Sequence, residues 1–137
     1  MPKIYRSMLS DGDFPMIGDT AKMLGVRVPT DIAPDQDGNV HRADHGMSVA
    51  PSIGFLPHHR VPRRLNHIVK SATGGNDLCI WSTGRGDFVE SLITDELELR
   101  LGGNLEHGFV SPSQTMQLVA YRDALSSTRH DWGIDES

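Results

Sequence analysis

Apolar and polar positions along the chain alternate over short stretches, and few apolar patterns run long enough for a helix. Lys3-Ile4-Tyr5-Arg6-Ser7-Met8-Leu9 alternates roughly and meets the turn cluster Ser10-Asp11-Gly12-Asp13, which predicts a strand. Gly46 to Ala50 predicts a second strand, closed by Pro51. Leu78-Cys79-Ile80-Trp81 is apolar without a break and reads as a buried strand, ended by Thr83-Gly84-Arg85-Gly86. Leu97 to Leu101 alternates strictly, Gly102-Gly103-Asn104 turns, and Leu105 to Val110 follows as another strand. His67-Ile68-Val69-Lys70 is a further short strand candidate, and Phe88 to Ile93 fits helix or strand.

Helical signals are sparser. Asp19 to Gly25 predicts a short helix, with Asp19 as N-cap and Gly25 as stop. Near the C-terminus, Ser111, Pro112 and Gln114 are spaced as a capping box with proline at the first helical position. That helix is expected to run to Arg129 with Met116, Val119, Ala120, Ala124 and Leu125 as its apolar stripe, before a polar tail from Asp131 to Ser137. Val26 to His45 is loop-rich, and Pro51, Pro57 and Pro62 make residues 51–66 a partly irregular excursion. The expectation is a single α+β domain over residues 1–137, mainly strand, with peripheral helices.

Composition narrows the class. No stretch approaches the ~18–20 apolar residues of a membrane span. Lys3 and Arg6 are followed by no apolar run, so no secretory signal peptide is expected and a cytoplasmic location is. The one cysteine, Cys79, leaves no intramolecular disulfide and no cysteine-based zinc site. Net charge is -5, but it is unevenly spread: residues 45–76 hold Arg60, Arg63, Arg64 and Lys70 and no acid. A cationic middle inside an acidic chain points to an anionic ligand. Phe55 is the sole aromatic there besides histidine, so a small phosphate-bearing ligand fits better than a nucleic acid. The seven histidines show no metal-binding spacing: His41 and His45 lie among loop signals, and adjacent His58 and His59 would point apart in a strand.

Five segments, in order, carry a resemblance. They are Ile4-Tyr5-Arg6; Val26-Arg27-Val28-Pro29-Thr30-Asp31-Ile32; Asp37-Gly38-Asn39-Val40; His45-Gly46-Met47-Ser48-Val49; and His107 to Met116. Thr128-Arg129-His130-Asp131-Trp132 continues the series, so the match spans residues 4 to 132. Together they resemble the bacterial type VI secretion effector toxins with an ADP-ribosyltransferase-like fold, and their wider bacterial and fungal relatives.

The resemblance implies a split β-sheet whose cleft takes NAD as substrate, action in the cytoplasm of a target cell, an unknown target macromolecule, and a cognate immunity protein as partner. It implies Arg6, Ser48, Glu106 and His107 as catalytic residues, and Tyr5, Arg27, His45 and Met47 as contacts to the dinucleotide. An arginine fork suits a pyrophosphate, and a carboxylate beside the ribose suits the oxocarbenium-like charge that forms when nicotinamide leaves. This chain departs from the family in two ways. Met47 stands where relatives often carry Thr, and no Glu-x-Glu or Gln-x-Glu pair precedes the third strand. Two alternatives therefore stay open: a non-catalytic binding domain on the same fold, and a small nucleic-acid-binding protein.

Overall fold

The computed structural model describes residues 1–137. In chain order the strands are β1 (Ile4–Asp11), β2 (Phe14–Pro15), β3 (Asn39–Val40), β4 (Met47–Val49) and β5 (Leu78–Thr83). Then come β6 (Ser91–Leu92), β7 (Leu97–Leu101), β8 (Gly108–Pro112), β9 (Met116–Gln117), helix α1 (Leu118–Ser127) and β10 (Gly133–Ile134). Two antiparallel sheets dominate, with strand orders β10-β5-β1-β2 and β4-β8-β7-β6, while β3 pairs with β9. The chain is thus a mixed α+β domain, mainly β, with one C-terminal α-helix.

The two sheets meet at a single pair of residues, where Tyr5 and Ala50 exchange main-chain hydrogen bonds of 2.8 and 3.0 Å. Period-two alternation along β1 sorts its side chains. Ile4 and Met8 enter the main core, while Tyr5 packs against a second, smaller core and the Ser7 hydroxyl reaches the Arg60 carbonyl at 2.6 Å. Partner strand β5 is covered on both faces: Trp81 belongs to the main core and Ile80 to the smaller one. That double burial explains its unbroken apolar sequence. The small core lies under the excursion after β4, which folds as three short 3-10 turns, Ile53–Phe55, His58–Arg60 and Arg63–Leu65.

Several expected elements take other forms. Asp19 to Gly25 is a set of turns, not a helix. Its carbonyls are claimed from outside: the Arg6 guanidinium takes those of Ala21 and Met23, and the Leu9 amide takes that of Lys22 at 2.7 Å. His67 to Lys70 is turn rather than strand, because the Val69 amide returns to the Leu65 carbonyl (3.0 Å), which lets both side chains fill the small core. The ambiguous Phe88–Ile93 stretch yields the two-residue β6, and the strand expected from Leu105 begins at Gly108.

The predicted capping box does not form. Ser111 and Pro112 still belong to β8, in register with Glu98 and Leu97, and the Ser111 hydroxyl donates to the His45 carbonyl (2.5 Å). The helix starts only at Leu118 and buries Tyr121, Ala124 and Leu125, while Val119 is exposed. The C-terminal tail is also built into the fold. Trp132 is buried, β10 adds to the edge of β5, and the Asp135 amide donates to the Ile80 carbonyl at 2.8 Å.

Candidate functional site

Past the Tyr5–Ala50 pair, β1 and β4 separate, and the gap opens into a cleft of about 310 Å³. Arg6, Arg27, Ser48 and His107 all line it. They arrive from four separate parts of the chain: β1, the turn after Val26, β4, and the residue preceding β8.

Arg6 forms the seam. The residue is 6% exposed, and no carboxylate is bonded to it. Nε and Nη2 donate to the Met23 carbonyl (3.1 and 2.9 Å), Nη2 also to Ala21 (3.3 Å), and Nη1 to Ser48 (2.8 Å). A guanidinium carries five N–H groups. The protein engages four, which leaves one Nη1 hydrogen for a ligand in the cleft. Burial is the main reason its pKa falls to about 10; the positive charges of Arg27 and Arg60 push the same way, against a raising contribution from Asp31. A buried cation held by carbonyls alone remains an electrostatic attractor for an anion.

Ser48 occupies the middle of β4 opposite Phe109, between the buried Met47 and Val49. Alternation therefore sends Met47 into the core and Ser48 into the cleft. The strand can start there because Gly46 has φ +146; a Cβ at that position would collide with the Val110 carbonyl and the Tyr121 hydroxyl. That hydroxyl donates to the Val110 carbonyl and accepts from the Met47 amide at 3.2 Å, so α1 pins β4 against β8. Across the cleft floor, Ser48 Oγ lies 3.1 Å from His107 Nε2. Burial lowers the His107 pKa below 6.5, so its imidazole is neutral at neutral pH and Nε2 can accept a proton from a hydroxyl. The His107 ring also meets Phe109 edge-on at 4.8 Å, which fixes its plane.

Arg27 forms a closed pair with Asp31. The carboxylate accepts from the Arg27 amide (2.7 Å), Nε (3.2 Å) and Nη2 (2.9 Å). Asp31 is the one carboxylate among the lining residues, and it is fully engaged.

The remaining candidates fall elsewhere. Met47 is buried in the main core and does not line the cleft. Tyr5 faces the small core and is absent from the cleft lining. His45 is exposed outside the cleft, edge-on to Phe109 at 4.8 Å. Glu106 sits on the exposed turn before β8, its amide bonded to Asn104 Oδ1 at 2.8 Å, and does not line the cleft. Ser7, Asp31, His59 and Arg60 join the lining without having been singled out as site residues. For His59 and Arg60 the acid-free, basic run was the available signal; nothing in the sequence marks Ser7.

No family model, curated protein or solved structure matches this chain. The functional reading therefore rests on the cleft itself. Its wall offers guanidinium groups for an anion, a neutral imidazole paired with a hydroxyl, and no free carboxylate. No group of three His, Cys, Asp or Glu residues is placed to hold a metal, and no helix is long and apolar enough to cross a membrane.

Proposed function

We propose that the cleft binds a nicotinamide dinucleotide and that the protein acts inside target cells as a toxin of the ADP-ribosyltransferase-like kind. The observation that carries this reading is the convergence of Arg6, Ser48 and His107, from three distant segments, on one cleft at the junction of two sheets. Arg6 faces the pyrophosphate with its remaining N–H, while Arg27, paired with Asp31, lines the same cleft. The Ser48–His107 pair meets the ribose hydroxyls, where neutral Nε2 accepts a proton and Ser48 orients it. An immunity protein would act by covering this cleft.

One observation favours a second reading, a binding domain that holds the dinucleotide without transferring it. Asp31 is occupied by Arg27 and Glu106 lies outside, so no carboxylate stands ready to stabilise the oxocarbenium-like charge. Two measurements separate these readings. Expression of the wild-type chain in bacterial cytoplasm is expected to arrest growth, with Ser48→Ala and Arg27→Ala each relieving the arrest while still folding. Harmless wild type, or fully toxic variants, would sink the toxin reading. Calorimetry with NAD, followed by an assay for free nicotinamide, assigns heat without release to the binding domain. Absence of any heat removes the dinucleotide from both.

A further inference from the structure

We propose that Arg60 is the second arm of a clamp whose first arm is Arg6, and that the pair selects ligands bearing two linked phosphates over ligands bearing one. The inference rests on the dinucleotide reading of the cleft and goes further: it brings the excursion after β4 into the site and names what it recognises there.

Three cations line the cleft: Arg6, Arg27 and Arg60. Arg27 is neutralised by its bidentate pair with Asp31. Arg6 is bonded to carbonyls alone, and the Arg60 side chain makes no hydrogen bond or ion pair within the protein. Two guanidinium charges thus face one cavity with no acid assigned to either. Both line the same cleft, and the Arg60 charge is the smallest of the contributions that lower the Arg6 pKa, after burial and Arg27. A pyrophosphate diester carries one negative charge on each phosphate, so it matches this surplus. A monophosphate occupies one arm and leaves the other opposed only by water.

Arg60 is also not a loose surface side chain. It is half-buried, and its backbone is fixed on both sides. Its amide donates to the Pro57 carbonyl (2.9 Å) and its carbonyl accepts from Ser7 on β1 (2.6 Å). The turn that carries it is tied down in turn: the Thr73 amide bonds the His58 carbonyl at 3.0 Å, and the Gly74 amide bonds the Val61 carbonyl at 2.8 Å. Gly74 allows that approach because a Cβ would press on the His59 and Val61 carbonyls. A side chain that starts from a fixed backbone and is half-buried has fewer orientations to lose when it binds, which favours a ligand contact over a solvated face.

The test is calorimetric titration of the full chain with ADP-ribose, ADP and AMP, at low and at physiological salt. Wild type is expected to bind ADP-ribose and ADP at least about tenfold more tightly than AMP. Arg60→Gln is expected to weaken ADP-ribose about tenfold or more and to bring ADP and AMP within about twofold of each other. Arg63→Gln, a neighbouring exposed arginine outside the cleft, is expected to behave as wild type. The Arg60 side chain has no hydrogen-bond or ion-pair partner in the protein to lose, so Arg60→Gln should melt close to wild type. If that variant does not fold, Arg60→Lys decides, because it keeps the charge and loses the fork: a smaller diphosphate preference supports the clamp and an unchanged one overturns it. Wild-type affinity for ADP-ribose in Arg60→Gln overturns the clamp and leaves the dinucleotide reading intact. Equal weakening of ADP and AMP, or equal losses in Arg63→Gln, reduces Arg60 to a source of general positive potential and also overturns it. No binding of any of the three by wild type removes the clamp and the dinucleotide reading together.

Discussion

The core between the sheets and α1 draws on 17 buried residues from most of the strands, whereas the core beneath the excursion after β4 draws on eight. The first is made mainly of regular elements whose main-chain groups pair with one another. The second is made of proline-separated 3-10 turns whose groups pair across the chain, as in Arg63 to Gly74 and Ser7 to Arg60. The cleft lies where the two regions face each other: Arg6, Ser48 and His107 come from the sheets, and His59 and Arg60 from the excursion. One region therefore supplies a rigid floor, and the other a wall whose charge is free to answer a ligand. That division predicts that damage to the first unfolds the protein, while damage to the second is felt first in binding.

The largest effect is expected at Trp81, which is fully buried and donates from Nε1 to the Met8 carbonyl at 3.1 Å. Trp81→Ala should cost about 3–5 kcal/mol, enough to leave a domain of this size largely unfolded in a denaturant titration. Leu65 occupies the corresponding position in the small core at 6% exposure. Leu65→Ala is expected to cost about 2–3 kcal/mol, toward the low end for such truncations, because irregular turns relax more readily than paired strands. A folded Leu65→Ala protein should also bind ADP-ribose more weakly. If the two truncations cost the same and Leu65→Ala binds normally, the contrast between the regions fails.

A smaller effect is expected at the staple between the regions. Glu136 accepts two bonds of 2.7 Å from Arg64 on the excursion and one of 3.1 Å from the Ile80 amide on β5. Glu136→Gln should cost about 1 kcal/mol, since both partners are partly solvated. The Arg64 hydrogen bonds hold the Glu136 pKa below 4.5. The folded state thus binds fewer protons than the unfolded one below that value, so this contribution is present above pH 4.5 and is lost as pH falls through the lowered pKa. Melting temperatures of wild type and Glu136→Gln should converge over that acid window; curves that stay parallel would show that the staple does not respond to charge.

The smallest effect concerns the floor itself. Burial lowers the His107 pKa, so between that lowered value and 6.5 the unfolded chain holds more protons at this site than the folded one. Stability from this group accordingly rises with pH across that window and is constant above it. His107→Gln should remove this component from the pH dependence of melting. If the variant follows the wild-type profile through the window, the imidazole is not desolvated and the Ser48–His107 pair is looser than its 3.1 Å separation indicates.

The strands that were legible in the sequence share one property: their alternation or continuity reflects burial on a sheet. Ile4–Asp11, Met47–Val49, Leu78–Thr83 and Leu97–Leu101 all fall at or near the expected positions. Several misread segments carry local signals that contacts from elsewhere in the fold override. Asp19 to Gly25 has acceptable helix signals, yet Arg6 and Leu9 claim its carbonyls. Ser111 and Pro112 look like a helix start, yet the β7 ladder extends to Leu97 and Pro112. The tail reads as polar, yet Glu136 and Asp135 bind both sides of Ile80. The same division runs through the cleft. Period two already separates Ser48 from Met47 once β4 is recognised, but that Glu106 and His45 lie outside the cleft follows only from the placement of their loops.

By itself, the sequence determined where β1, β4, β5 and β7 would lie, that the fold would hold without an intramolecular disulfide, and that positive charge would concentrate between residues 45 and 76. These are properties of side-chain chemistry and local periodicity, which a linear chain carries in full. Tertiary structure decided which charges remain available. Arg27 and Arg64 are spent on Asp31 and Glu136, while Arg6 and Arg60 are brought to one cleft with no carboxylate bonded to either. Whether an arginine is a staple or a ligand contact depends on which groups folding places within about 3 Å of it, and no spacing along the chain encodes that distance.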